Sequence, residues 1–185
     1  KLAMSRFERY AGLFAGRDGF DIPQNYSVGV AFRPAAPWTL ALDWQRINYA
    51  GVASVGNPSL RRAQLGAANG PGFGWHDVTV WKLGIDYAAT DRLTLRAGFN
   101  HSDNPIRASD VTFNILAPGV VTNHLTLGAS WRTQGGEVSV AWMHAFEHAV
   151  TGTSILPAFM GGAPAGSETI RMHEDSLGVA WTWRL

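Results

Sequence analysis

The chain has no cysteine, so disulfides and thiolate metal sites are excluded from the start. Charge is also scarce: only 16% of the 185 residues are Asp, Glu, Lys or Arg, against about a quarter in soluble domains. The formal net charge of +1 and the absence of a basic cluster or stacking platform argue against a nucleic-acid partner. No apolar run approaches the roughly 18 residues that a membrane-spanning helix requires. The start at Lys1 shows no basic-then-apolar leader. Gly-Lys-Ser/Thr and Gly-x-Ser-x-Gly are both missing, which leaves neither a phosphate loop nor a nucleophile elbow.

What the chain does have is alternation. Apolar side chains recur at every second position in seven segments: Tyr26 to Phe32, Trp38 to Trp44, Trp81 to Tyr87, Leu93 to Phe99, Leu125 to Trp131, Val138 to Trp142, and Leu177 to Leu185. A period of two marks a strand with one apolar face. The residues in between include Asp43, Gln45, Lys82, Asp86, Arg92, Arg96, Arg132 and Arg184, so the opposite face is wet. The apolar face carries no charge over these stretches. We expect one large antiparallel sheet, with strands over 25–33, 38–49, 78–88, 92–102, 124–133, 137–148 and 175–185.

The connections alternate in length. Segments 34–37, 89–91 and 133–136 are short and rich in Pro, Gly, Asp and Thr, the composition of tight hairpins. Segments 50–77, 103–123 and 149–174 are long. Outer-membrane barrels alternate in this way, with short periplasmic turns and long extracellular loops. A soluble β-sandwich also produces alternation, but has no reason to keep that order of loops. If the C-terminus is periplasmic, every short turn falls on the periplasmic side and every long loop outside.

Aromatic residues fit the same frame. Phe32, Trp38, Tyr87, Trp131 and Trp183 fall near the expected periplasmic ends, and Tyr26, Trp44, Trp81, Phe99 and Trp142 toward the outer ends. Two such girdles flank the aliphatic band of a barrel. Residues 1–24 alternate poorly, since Met4 and Tyr10 share a face with Arg6 and Glu8. We read them as one further strand plus an extracellular loop, with a short amphipathic helix as the alternative. The predicted total is eight strands. The final LGVAWTWRL, with Gly178, Trp181, Trp183 and Leu185, resembles the C-terminal signal that barrel-assembly machinery reads.

Candidate chemistry is sparse. His144-Ala-Phe-Glu147-His148 matches H-x-x-E-H, but that zinc chemistry needs a helix. On a strand the two histidines stand ~13 Å apart, too far for bonds of ~2 Å to one ion. GAANGPGFGWHD holds Gly66, Gly70, Gly72 and Gly74 ahead of a strand, where glycine permits positive φ and Pro71 stiffens the turn. No catalytic residue, metal ligand or cofactor is expected. Candidate substrate contacts are of two kinds. Lys82 and Arg96 would point into a barrel lumen and could meet a carboxylate, or simply pair with Asp43 and Asp86 in a water-filled interior. Phe73 and Trp75, then Phe113, Ile115 and Leu116, make the long loops apolar, through mutual packing or as a landing surface for a hydrophobic ligand.

Several separated segments, GLFAGRDGFDIPQNYSVGVAFRP, LGAANGPGFGWHDVTVWKLGIDY, LTLRAGFNHSDNPI, FNILAPGVVTNHLTLG and MHAFEHAVTG, resemble the FadL/TodX family of outer-membrane transport proteins. The resemblance implies an all-β fold in which this chain supplies the C-terminal strands of a fourteen-stranded transmembrane barrel. It also implies passive uptake of long-chain fatty acids or aromatic hydrocarbons across the bacterial outer membrane. The family's N-terminal hatch and first six strands have no counterpart here, so on this resemblance we expect a piece of a longer barrel. Eight strands can also close into a complete small barrel with a structural or adhesive role. Expected partners are outer-membrane lipid and lipopolysaccharide, a hydrophobic small-molecule ligand, and the barrel-assembly machinery through the C-terminal strand.

Overall fold

A computed structural model describes residues 12–64 and 66–183. Seven antiparallel strands form a single sheet in which each strand pairs with its sequence neighbour. They are β1 (Gln24–Ala35), β2 (Trp38–Asn48), β3 (Val78–Ala88), β4 (Leu93–Ser102), β5 (Asn123–Thr133), β6 (Gly136–Thr153) and β7 (Ser167–Trp183). The first expected strand falls on residues 1–11, outside the described residues. Residues 12–23 contain no strand and one helical turn, α1 (Ala15–Asp18). Arg184 and Leu185 also lie outside the described residues. Among the described residues no helix is long and apolar enough to cross a membrane.

The register explains why the alternation of the sequence makes one continuous surface. Val30, Leu42, Leu83, Phe99 and Leu125 stand opposite one another from β1 to β5. So do Leu40, Ile85, Ala97, Leu127, Trp142 and Leu177 from β2 to β7. Directly paired residues point to the same side of a sheet. A slip of one residue in any pair would turn a whole strand's apolar set onto the wet face. Aromatic residues meet across strands as well: Trp44 lies opposite Trp81, and the rings of Trp38 and Tyr87 stack with centroids 4.2 Å apart.

The hairpins β1–β2 and β5–β6 turn on two residues each, and β3–β4 on four. All three turns lie at one end of the sheet and all long connections at the other. The third long loop is shorter than expected. Pairing of β6 with β7 continues past a bulge after Ala145 and runs from His148–Met172 to Thr153–Ser167, so only residues 154–166 lie outside the two strands. The physical reason is visible in the side chains. Val150, Ile170 and Met172 face a buried cluster with Ile106, Val111 and Val120. Thr151, Thr169 and Arg171 remain on the exposed side.

The apolar face of the sheet is uncovered: Val28, Leu83, Leu177 and Val179 are each at least 58% exposed. A water-soluble fold does not leave so large an apolar face bare. Burial is concentrated instead in the long connections, which fold together as a cap with the short helices α2 (Ala53–Gly56), α3 (Val111–Asn114) and α4 (Leu156–Phe159). The outer edges of β1 and β7 pair with nothing among the described residues, so the sheet is open. The described strands therefore do not close into a small barrel.

Candidate functional site

Two regions hold the candidate binding residues, the cap and the wet face. In the cap, Phe73, Trp75 and Phe113 come together with Phe14, Phe20 and Ile155. Phe14 is central: it stacks on Phe73 at 4.6 Å and meets Phe113 edge-on at 5.6 Å. Each contact joins segments far apart in the chain, so ring packing ties the loops to one another. Ile115 and Leu116 are not part of this cluster. They follow α3 and are 58% and 71% exposed.

The cluster rests on a polar hub. Asn114, fully buried on α3, donates from Nδ2 to the carbonyls of Phe73 (2.7 Å) and Asp110 (2.8 Å). Its Oδ1 accepts from the Trp75 indole at 2.5 Å. One amide thereby fixes Trp75, the backbone at Phe73 and the start of α3. Asp110 is 1% exposed, and its carboxylate accepts from the Ser59 N–H, the Ser59 hydroxyl and the Ser109 hydroxyl, each at 2.7 Å. Gly74, at φ 72°, passes directly over that carboxylate, where a Cβ would collide with it. Gly72 lies equally close to the carbonyls of Ala53, Ser54 and Asn57. The glycine-rich stretch thus lets one loop strand lie against α2, with Phe73, Gly74 and Trp75 donating to Ser54, Asn57 and Val55. Tyr49 packs edge-on against Trp75, and burial raises its phenol above the usual range.

Glu168, near the tip of the β6–β7 extension, accepts from the hydroxyls of Thr112 and Ser154, both at 2.5 Å. The Thr112 hydroxyl in turn accepts from the Ile155 N–H at 3.0 Å. Sequence reasoning missed these polar residues because they form no motif; the partners that join one loop to another lie 14 to 56 residues away. Phe14 and Phe20 carried a faint signal, two aromatics among glycines in the segment read as a strand plus an extracellular loop.

On the wet face, Asp43, Lys82, Asn100 and His124 stand side by side on β2 to β5. Lys82 donates to Gln45 at 3.0 Å and has no carboxylate partner among the described residues. Arg96 is already engaged, with Nε on Asp86 at 2.9 Å and a terminal N–H on the Ser130 hydroxyl at 2.7 Å. Asp86 lies four positions along β3 from Lys82, so Lys82 and the Arg96 pair are ~13 Å apart along the wall. Beside Arg96 lies a hollow of about 410 Å³ over Ala41, Gly84, Gly98, Gly128 and Ala141, whose small side chains leave the wall thin.

His144 and His148 lie on β6 rather than on a helix, and His144 sits 3.0 Å from Asp175 on β7. Among the described residues no His, Asp or Glu group is arranged to hold a metal ion.

An open sheet with one bare apolar face, aromatic rings toward both ends and loops gathered at one end is the architecture of an outer-membrane barrel wall. The family model for outer membrane protein transport protein (OMPP1/FadL/TodX) matches residues 14–154. The chain belongs to this family. FadL/TodX proteins are outer-membrane transport proteins, not enzymes, and the apolar face described above is the lipid face of such a wall. The toluene transporter TodX of Pseudomonas putida superposes with a TM-score of 0.55 at 16% identity, over 86% of this chain and 34% of that one. The toluene transporter TbuX of Ralstonia pickettii gives 0.54 at 16% identity, over 90% and 34%. A deltaS2 mutant of the TodX monoaromatic hydrocarbon channel gives 0.59 at 17%, over 91% and 37%. At these identities the likeness is one of fold. The chain spans about a third of the length of these structures. No curated protein matches it in sequence.

Proposed function

We propose that this chain forms part of a passive outer-membrane conduit for hydrophobic molecules, either long-chain fatty acids or aromatic hydrocarbons. The observation that supports it most is the family match over residues 14–154, together with long loops gathered into a cap above a wet-faced wall. In this reading the long loops are extracellular and collect ligand, Ile115 and Leu116 offer it apolar surface, and no bond is made or broken. Exposed apolar side chains such as these hold either an acyl chain or an aromatic hydrocarbon by desolvation. Of the two cations, Lys82 is better placed than Arg96 to meet a carboxylate within the lumen, because Arg96 already holds Asp86 and Ser130. Lipid and lipopolysaccharide surround the wall, and the C-terminal strand is the segment offered to the assembly machinery.

Uptake of labelled oleate and labelled toluene by cells with and without the protein tests this reading. Faster uptake of at least one is expected with the protein present. Equal uptake of both in the two strains would rule the conduit out. Within the conduit, Lys82→Ala should slow oleate while leaving toluene unchanged. The small adhesive barrel gains no support from a sheet whose two edges remain unpaired among the described residues.

A further inference from the structure

The bulge after Ala145 divides the run from His144 to His148. On a regular strand two histidines four positions apart would share a face. The extra residue instead puts His148 opposite Met172, which packs into the cap, and leaves His144 opposite Leu125 and Asp175 on the outward face. Every second residue of β7 also faces outward, and that row changes character abruptly. Trp181, Val179 and Leu177 give way to Asp175, His173 and Arg171. The hydrocarbon layer therefore ends between Leu177 and Asp175, and the headgroup layer begins there.

A ladder of rings stands at that boundary. His144 stacks on Trp142 with centroids 5.9 Å apart and meets Phe146 edge-on at 4.9 Å. One carboxylate oxygen fixes the ladder: Asp175 Oδ1 accepts from the Trp142 indole at 3.2 Å and lies 3.0 Å from His144 Nδ1. The platform stays open to its surroundings, since Phe146 is 42% exposed and the Asp175 side chain 56%. Further out, Arg171 meets Glu147 only at 3.7 Å and remains exposed. On the neighbouring strands the apolar face is hollowed by about 340 Å³ around Ala97, between Leu40, Leu83, Ile85, Phe99 and Leu125. Leu125 stands directly opposite His144, so the hollow and the ring ladder are continuous.

Each half of this surface fits one part of a glycolipid. The hollow suits an acyl chain by desolvation. The C–H faces of a sugar ring pack on aromatic rings, and its hydroxyls donate to a carboxylate. A phospholipid would set its phosphate directly against the Asp175 carboxylate, where like charges repel, whereas a glycolipid places a sugar there first. We propose that the outward face of β6 and β7 is a binding site for one lipopolysaccharide molecule of the outer leaflet, with sugar on Trp142, Phe146 and Asp175 and an acyl chain over Ala97. Arg171 then lies where the outer phosphates or acidic sugars of that molecule reach. The site takes a resident membrane lipid rather than a transported molecule. It rests on the proposed reading only in placing the cap on the outer side.

Native mass spectrometry of the protein in non-ionic detergent, titrated with lipopolysaccharide truncated to its inner-core sugars or with phosphatidylglycerol, tests the site. Lipopolysaccharide is expected to bind and to survive detergent exchange, and phosphatidylglycerol to be lost. Phe146→Ala, Asp175→Asn and Ala97→Phe, which fills the hollow, should each weaken lipopolysaccharide binding about tenfold or more, the loss of one ring contact, charge-assisted hydrogen bond or acyl seat. Val179→Ala, on the same face but outside the site, should bind as wild type does. Asp175→Asn changes a single atom of an exposed side chain, so it keeps its fold even where a bulkier change does not. The proposal is overturned if phosphatidylglycerol is retained as firmly as lipopolysaccharide, if Asp175→Asn binds lipopolysaccharide as well as wild type, or if Val179→Ala loses as much as the site variants. Toluene uptake by cells carrying Asp175→Asn judges the conduit reading separately, since the binding measurement involves no transported molecule.

Discussion

Asn114 shows how much of the cap depends on single polar groups. Its amide uses two donors and one acceptor on three partners, all within a site closed to water. Asn114→Ala would orphan the Trp75 indole and two backbone carbonyls at once. Buried groups left unpaired cost about 1–3 kcal/mol each before relaxation. We expect the cap of this variant to open well below the temperature at which the sheet unfolds, which Trp fluorescence and hydrogen exchange in the cap would register. Gly74→Ala should act similarly by a different route, since it places a Cβ at positive φ against the Asp110 carboxylate. Native-like thermal stability of the cap in both variants would contradict this account. Little of this hub was legible beforehand. Asn114 and Asp110 sit in a run that reads only as an apolar loop, and their partners are distant in sequence. Phe73, Trp75 and Phe113 were legible because a large aromatic in a loop demands an explanation by itself.

Strands were far more legible than loops, because the pattern that encodes a strand is local and the sheet reuses it seven times. The β6–β7 extension was passed over although its code is of the same kind: Ile170 and Met172 alternate with Thr169 and Arg171. What hid it was reversal of purpose. Above the bulge the apolar side chains turn to the cap, while below it they turn to lipid. Adjacent residues on one strand allow the two faces to be told apart by experiment. Leu127 belongs to the apolar row with Ala97 and Trp142, whereas Thr126 stands with Gly98 and Met143 on the wet face. Leu127→Arg should therefore destabilise the membrane-inserted protein by about 2–4 kcal/mol, the cost of a cation near the bilayer midplane. Thr126→Arg should change stability little. Urea unfolding from lipid vesicles measures both, and equal costs would mean that the apolar face does not meet lipid.

At the scale of the molecule, the open edges matter most. Backbone groups along the outer sides of β1 and β7 have no partner among the described residues, and hydrocarbon cannot solvate them. In the membrane these edges must be covered by further strands, which agrees with a chain spanning about a third of the structures it resembles. The uneven ends of the sheet then determine how the wall sits. The short-turn end carries only two- and four-residue turns, while the cap gathers every long connection and most of the buried apolar side chains. A cap with that much folded structure cannot be threaded through the bilayer as easily as a two-residue turn, so the cap should face outward. An epitope inserted at the Gly161–Gly162 tip, where both residues are exposed, is expected to be labelled by antibody on intact cells. The same epitope at Gln134–Gly135, between β5 and β6, should be reached only after the outer membrane is permeabilised. Labelling in the opposite order would invert the wall and place the cap, with its aromatic cluster, on the side from which ligand leaves.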